Sequence, residues 1–148
     1  MKGFIDTNIF VYATYSKFPQ FEKAISFLKN CIHDRRDSWC LGWNVIYEYL
    51  RVVTHPGLFE GETIGFLKAV ENVEKFCSAS NVEILGETEV HFSFLKNDAK
   101  KHTGLVGNIL HDFHSVVLMK EHDVGRIYTA DTDFHRFSEI SVVNPLQK

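Results

Sequence analysis

Proline and cysteine are both scarce, three of each in 148 residues, and long apolar runs are missing. The cysteines, Cys31, Cys40 and Cys77, are odd in number and far apart, with no C-x-x-C spacing. That excludes a disulfide framework or a zinc knuckle as the organising device and predicts free thiols in or near a core. No stretch approaches the ~20 apolar residues that a membrane-spanning helix needs. The first residues also lack the succession of basic, apolar and small residues found in a secretion signal, so a soluble, cytoplasmic protein is expected. An excess of positive charge is absent too: 16 basic against 19 acidic residues leave a net charge of −3. A global field that attracts polyanions is thereby excluded, and any polyanionic ligand needs bound cations to reverse the local sign. Gly/Ser-rich linkers, repeats and low-complexity tracts are lacking, so residues 1–148 are expected to form one domain.

What is present is apolar matter in the right periods. Hydrophobic residues make up 45% of the chain and aromatics 14%, enough for a core. Residues 2–5 read as a short buried strand that ends in a carboxylate, Asp6. Helical spacing of Phe21, Ile25, Leu28 and Ile32 predicts an amphipathic helix over 18–32. A polar turn at 34–37 and a strand at 39–41 follow. Asn44 is the expected N-cap of a helix over 45–54 that His55-Pro56-Gly57 stops. The pattern then predicts helices over 62–79 and 88–102 flanking a strand at 82–85, and a helix capped by Asn108 with Ile109, Phe113, Val116 and Val117 on one face. A strand at 126–130, a helical turn at 132–137 and a strand at 140–143 complete the chain. Strands alternating with helices predict a three-layer α/β/α fold around a mainly parallel sheet.

In such a sheet, ligands collect beyond the carboxyl ends of the strands. Asp6 follows the first strand, and Asp131 and Asp133 follow the strand at 126–130, while Glu48 and Asp112 fall early in helices. Each has a plain reading alone: Asp6 as a turn former with Thr7 and Asn8, Glu48 as a solvated helix residue, Asp112 as a partner of the helix dipole, Asp131 or Asp133 as an N-cap. Together they make a set of carboxylates that repel one another unless a hard divalent cation lies between them. Oxygen ligands point to Mg²⁺, with Mn²⁺ as a substitute. A pair of such ions ~3.5–4 Å apart activates water and stabilises the leaving oxygen in phosphodiester hydrolysis, without a covalent intermediate.

The stretches F-I-D-T-N, N-V-I-Y-E-Y-L, G-N-I-L-H-D and Y-T-A-D-T-D-F occur in this order over essentially the whole chain. Their order and spacing resemble the PIN domain family, and within it the VapC-type toxins of toxin–antitoxin pairs. The resemblance implies a metal-dependent endoribonuclease that cuts single-stranded or loop RNA and leaves a 5′-phosphate, an antitoxin partner that inhibits it, and a homodimer. Carried over by position, Asp6 and Asp112 are the principal metal ligands, Glu48 and Asp131 complete the cluster directly or through water, and Asp133 holds a second ion. Asn8 and Thr129 match the polar positions that orient these carboxylates. The stretch 57–100 is the least family-like.

Arg51, one turn beyond Glu48, and the basic group Lys96, Lys100, Lys101 and His102 are candidates to guide phosphates, with Arg51, Lys100 and Lys101 the first choices. His111 and His114 have i, i+3 spacing that suits a transition metal, but no third ligand follows at a recognisable spacing. Trp39, Trp43, Tyr47 and Tyr49 are expected in the core, with one or two exposed rings free to stack on bases or to face an antitoxin helix. Two other readings stay open: a phosphohydrolase with Asp6 as nucleophile, against which Asn8 stands where a second aspartate is usual, and a binding protein of the same fold without metal.

Overall fold

The computed structural model describes residues 1–58 and 63–147. Five strands form one sheet in the order β3-β2-β1-β4-β5: β1 (Lys2–Ile5), β2 (Ser38–Gly42), β3 (Val82–Leu85), β4 (Arg126–Tyr128) and β5 (Ser141–Val143). Every pairing is parallel. Six α-helices accompany them among the described residues: α1 (Thr7–Tyr12), α2 (Phe21–His33), α3 (Trp43–Val53), α4 (Phe66–Cys77), α5 (His91–Lys101) and α6 (Ile109–Glu121). A parallel sheet buries both faces, so its strands are apolar on both sides. Phe4, Ile5, Cys40, Leu41 and Ile127 are accordingly fully buried. The architecture is the expected three-layer α/β/α, with a sheet that is wholly parallel.

Gly3 sits at the centre of the sheet, paired with Trp39 on one side and Arg126 on the other. The rings of Trp39 and Tyr128 close over it, their centroids 4.9 Å apart, and Phe27 packs against both. A Cβ at position 3 would lie 2.7 Å from each of the two rings. The absent side chain is what admits this aromatic lid.

Local differences from the sequence reading each have a physical reason. Asp6 does more than end β1: in extended conformation it caps α1, accepting a bond from its own neighbour's amide, Thr7 N, at 2.8 Å. Helix α1 has six residues, too few for a periodic signal. Asn44 is not the cap of α3. That helix starts straight off β2 with Gly42 as cap, and the Asn44 amide instead donates to Ser115 Oγ of α6 at 2.9 Å. The start expected for α4 at Glu62 lies outside the described residues; the helix runs over Phe66–Cys77. Helix α5 begins at His91, after a turn in which Thr88 spends its amide and hydroxyl on Glu121 of α6. Asn108 precedes α6 without a side-chain cap bond. Cys31 and Cys40 are buried and all three thiols are free. Trp39 and Tyr49 are core residues, whereas Trp43 and Tyr47 are 52% and 69% exposed. No helix among the described residues is long and apolar enough to cross a membrane.

Candidate metal centre

The chain runs from β1 outward to β2 and β3, then returns to β4 on the other side of β1. The order therefore reverses between β1 and β4, and the crevice at their carboxyl ends is where such sheets bind ligands. Asp6 stands at the end of β1, Thr129 and Asp131 just beyond β4.

Asp6 is held from three directions. Its Oδ1 accepts from Thr7 N (2.8 Å), and its Oδ2 accepts from Thr129 Oγ1 (2.8 Å) and Asn8 Nδ2 (3.1 Å). Asn8 also ties the two strand ends together: its amide donates to Thr129 Oγ1 at 3.0 Å and its Oδ1 accepts from Ala130 N at 3.1 Å. Thr129 Oγ1 further accepts from Asp131 N at 3.0 Å, and Asp131 caps the 3-10 turn Thr132–Arg136 by accepting from Asp133 N at 2.8 Å. Across the cleft, Thr7 Oγ1 donates to Glu48 Oε2 of α3 at 3.1 Å.

One cleft of about 390 Å³ is lined by Asp6, Asn8, Glu48, Asp112 and Asp131 together with Thr7, Tyr12 and Phe18. It shares Glu48, Asp112 and Asp131 with a neighbouring cleft that adds Arg51, His111 and Asp133. Carboxylate oxygens of Asp112, Asp131 and Asp133 lie within 4.8 Å of one another, an arrangement that can hold a metal ion. The charge is felt by its members. Burial, opposed by the bonds from Thr129 and Thr7 and reinforced by Glu48 and Asp131, raises Asp6 to about 6. Burial and then the charges of Asp6, Asp131, Glu48 and Asp133 raise Asp112 to about 7. Asp112 accepts no hydrogen bond from a described residue that would offset this. The donor set is all oxygen and surplus in negative charge, which fits Mg²⁺ or Mn²⁺.

Among the residues singled out from sequence, Asp6, Asn8, Glu48, Asp112, Thr129, Asp131 and Asp133 thus meet at one place, and Arg51 lines the same trough. Lys100 and Lys101 do not line it; they sit exposed at the end of α5. Sequence does not single out Thr7, which donates to Glu48, or His111 and Tyr47, which line a further cleft with Glu48 and Arg51, as site residues. A signal for Thr7 is nonetheless readable, because a hydroxyl directly after a strand-end aspartate is well placed to serve a second carboxylate.

A parallel sheet whose switch point gathers a group of carboxylates defines an α/β domain with an acidic cluster able to bind a metal ion. The chain belongs to the PIN domain family, whose model matches residues 3–140. It is 32% identical over 145 residues to Ribonuclease VapC48 of Mycobacterium tuberculosis, covering 98% of each chain. Among solved structures it resembles a chain of VapBC2 from Rickettsia felis, a complex bound to a DNA fragment from its promoter, with a TM-score of 0.65 at 17% identity over 97% of this chain and 98% of that one. A chain of VapBC-1 from nontypeable Haemophilus influenzae gives 0.62 at 17% identity over 99% and 100%. The protein is a PIN domain of the VapC type.

Proposed function

We propose that the protein is a cytoplasmic, metal-dependent endoribonuclease and the toxin of a toxin–antitoxin pair. The observation that carries this reading is the convergence of Asp6, Glu48, Asp112 and Asp131 on one open cleft, with two of them forced well above the ordinary carboxylate range. Similarity over 98% of the chain to a protein named as a ribonuclease supports RNA as the substrate class.

Asp112, Asp131 and Asp133, whose ligand atoms lie within 4.8 Å of one another, would hold Mg²⁺ or Mn²⁺, and Asp6, carried over from the resemblance, would complete the set across the cleft. When bound, the ion supplies the positive charge that admits a phosphate to this cluster and activates water for attack on phosphorus. Asn8 and Thr129 hold Asp6 in one orientation, and Thr7 does the same for Glu48, which is then free to take a proton from the attacking water. Arg51 offers its guanidinium to a substrate phosphate, and the exposed Tyr47 ring beside it offers a platform for an unpaired base. Lys100 and Lys101 contribute at most distant attraction. A phosphoenzyme route needs a second carboxylate two residues beyond Asp6, and that position is Asn8, whose amide donates to Asp6 and Thr129.

The antitoxin reading is supported by an apolar hollow of about 270 Å³, lined by Phe10, Ile25, Leu28, Tyr49, Val73 and Phe76, which has room for one or two apolar side chains of a partner segment. A homodimer is carried over from the resemblance alone. The test is a labelled pool of RNAs incubated with Mg²⁺. Wild type is expected to cut it and leave 5′-phosphate ends, and Asp6→Asn to leave it intact; cyclic phosphate ends, or equal cutting by the variant, would rule the mechanism out.

A further inference from the structure

A second constellation of ligands lies away from the acidic cleft. Glu87 in the β3–α5 loop, His91 at the start of α5 and His114 on α6 bring one ligand atom each within 4.8 Å of one another. The His91 and His114 rings are 6.0 Å apart between centroids. Glu87 Oε1 lies 2.5 Å from His114 Nε2. From the chemistry of this trio we propose that it is a transition-metal site of the His₂Glu kind, selective for zinc or a similar borderline divalent cation.

A fourth residue makes this more than a pair of surface contacts. Glu121, whose side chain is shielded from solvent, takes three donors: Thr88 N at 2.7 Å, the Thr88 hydroxyl, and His91 Nδ1 at 2.5 Å. A carboxylate facing a ring nitrogen only accepts, so the His91 proton sits on Nδ1 and its Nε2 keeps a lone pair for a metal. A carboxylate that fixes the tautomer of a ligating imidazole is the usual support of a zinc histidine. Here Thr88 holds that carboxylate in turn. The charge agrees as well. With both imidazoles neutral, Glu87 and Glu121 sum to −2, which one divalent cation cancels.

Two imidazoles and one carboxylate match the preference of zinc for mixed nitrogen and oxygen donors and are a poor set for Mg²⁺. Tetrahedral metal bonds of ~2.0–2.1 Å hold ligand atoms ~3.3–3.4 Å apart, so the Glu87–His114 pair, at 2.5 Å, opens and atoms further apart in the trio close around the ion. His114 ligates through Nε2 once its single ring proton, which faces Glu87, has moved by way of solvent to Nδ1, so the ring stays neutral. Three protein ligands leave a fourth position for water. The ion would join the β3–α5 loop, α5 and α6, the helix that carries Asp112.

The test is zinc calorimetry near neutral pH in an Asp112→Asn background, which weakens competition from the acidic cleft. One zinc per chain is expected. Affinity should fall at least ~10-fold in His91→Gln, in His114→Gln and in the exposed Glu87→Gln, and ~10–100-fold in Glu121→Gln. Circular dichroism in chelator checks that each variant is folded, and anomalous scattering from zinc-soaked crystals locates the ion. Absence of zinc heat, or affinity unchanged in His91→Gln and Glu87→Gln, would overturn the proposal and leave two ordinary His–Glu pairs.

Discussion

Replacing Asp112 with Asn should stabilise the metal-free protein while abolishing its activity. The carboxyl is raised from its ordinary 3.8 to about 7 by burial and by Asp6, Asp131, Glu48 and Asp133. A carboxyl whose pKa is higher in the folded chain holds its proton more tightly there. Its favourable contribution is therefore whole below about pH 4 and is lost as pH climbs towards about 7. A rise of roughly three pH units corresponds to ~4 kcal/mol if nothing screens the charge. Asp112 lines an open cleft, so solvent screening reduces this to ~1–2 kcal/mol. Asn keeps the shape and drops the charge. For a chain of this size that gain is worth a rise in Tm of ~4 °C. The assay is thermal melting of wild type and Asp112→Asn in EDTA at pH 8 and at pH 4. The variant should melt higher at pH 8, the two should converge at pH 4, and added Mg²⁺ should narrow the gap at pH 8 by stabilising wild type alone. A variant that melts at or below wild type at pH 8 in EDTA would refute the claim that this cluster is electrostatically strained without a cation.

Three further substitutions probe other parts of the structure. Gly3→Ala thrusts a Cβ to 2.7 Å from the Trp39 and Tyr128 rings and should cost ~1–3 kcal/mol in urea unfolding; an unchanged midpoint would mean the lid is loose. Thr129→Val removes the hydroxyl that joins Asp6, Asn8 and the Asp131 amide. RNA cleavage should drop ~10–100-fold with little change in melting, and full activity would remove Thr129 from the positioning role. Lys120→Met strands Asp98, which is 3% exposed, pairs with Lys120 at 2.6 Å and has its other oxygen buried without a partner among the described residues. A loss of ~3–5 kcal/mol is expected, largely recovered by adding Asp98→Asn; no recovery would place the damage elsewhere.

The sequence displayed those features that are written locally. An apolar run closing on a carboxylate is visible at Ile5-Asp6, and short apolar runs alternating with segments of period 3.6 point to the parallel sheet and most helices. The meeting of Asp6 with Asp131 followed from where strand ends go in an α/β sheet. Features that depend on distant pairing were hidden. Asn44 looks like a cap because it precedes an apolar helix, but Ser115, 71 residues away, claims its amide. Lys100 and Lys101 are close to Asp112 along the chain and yet do not line the cleft, since they end α5 on its exposed side. His114 suggested His111 as its companion by spacing, whereas its partner is Glu87, 27 residues earlier. A helix as short as α1 carries too few turns to announce itself.

The most direct test of the central claim follows cation binding and RNA cleavage in the same samples. Mn²⁺ is titrated into chelator-stripped wild type and Asp6→Asn, bound ion is counted by electron paramagnetic resonance, and cutting of labelled RNA is read at each point. Cleavage that rises with bound Mn²⁺ in wild type, with both lost in Asp6→Asn, is the predicted result. Cleavage that persists in the chelator, or that survives in Asp6→Asn, would contradict the account.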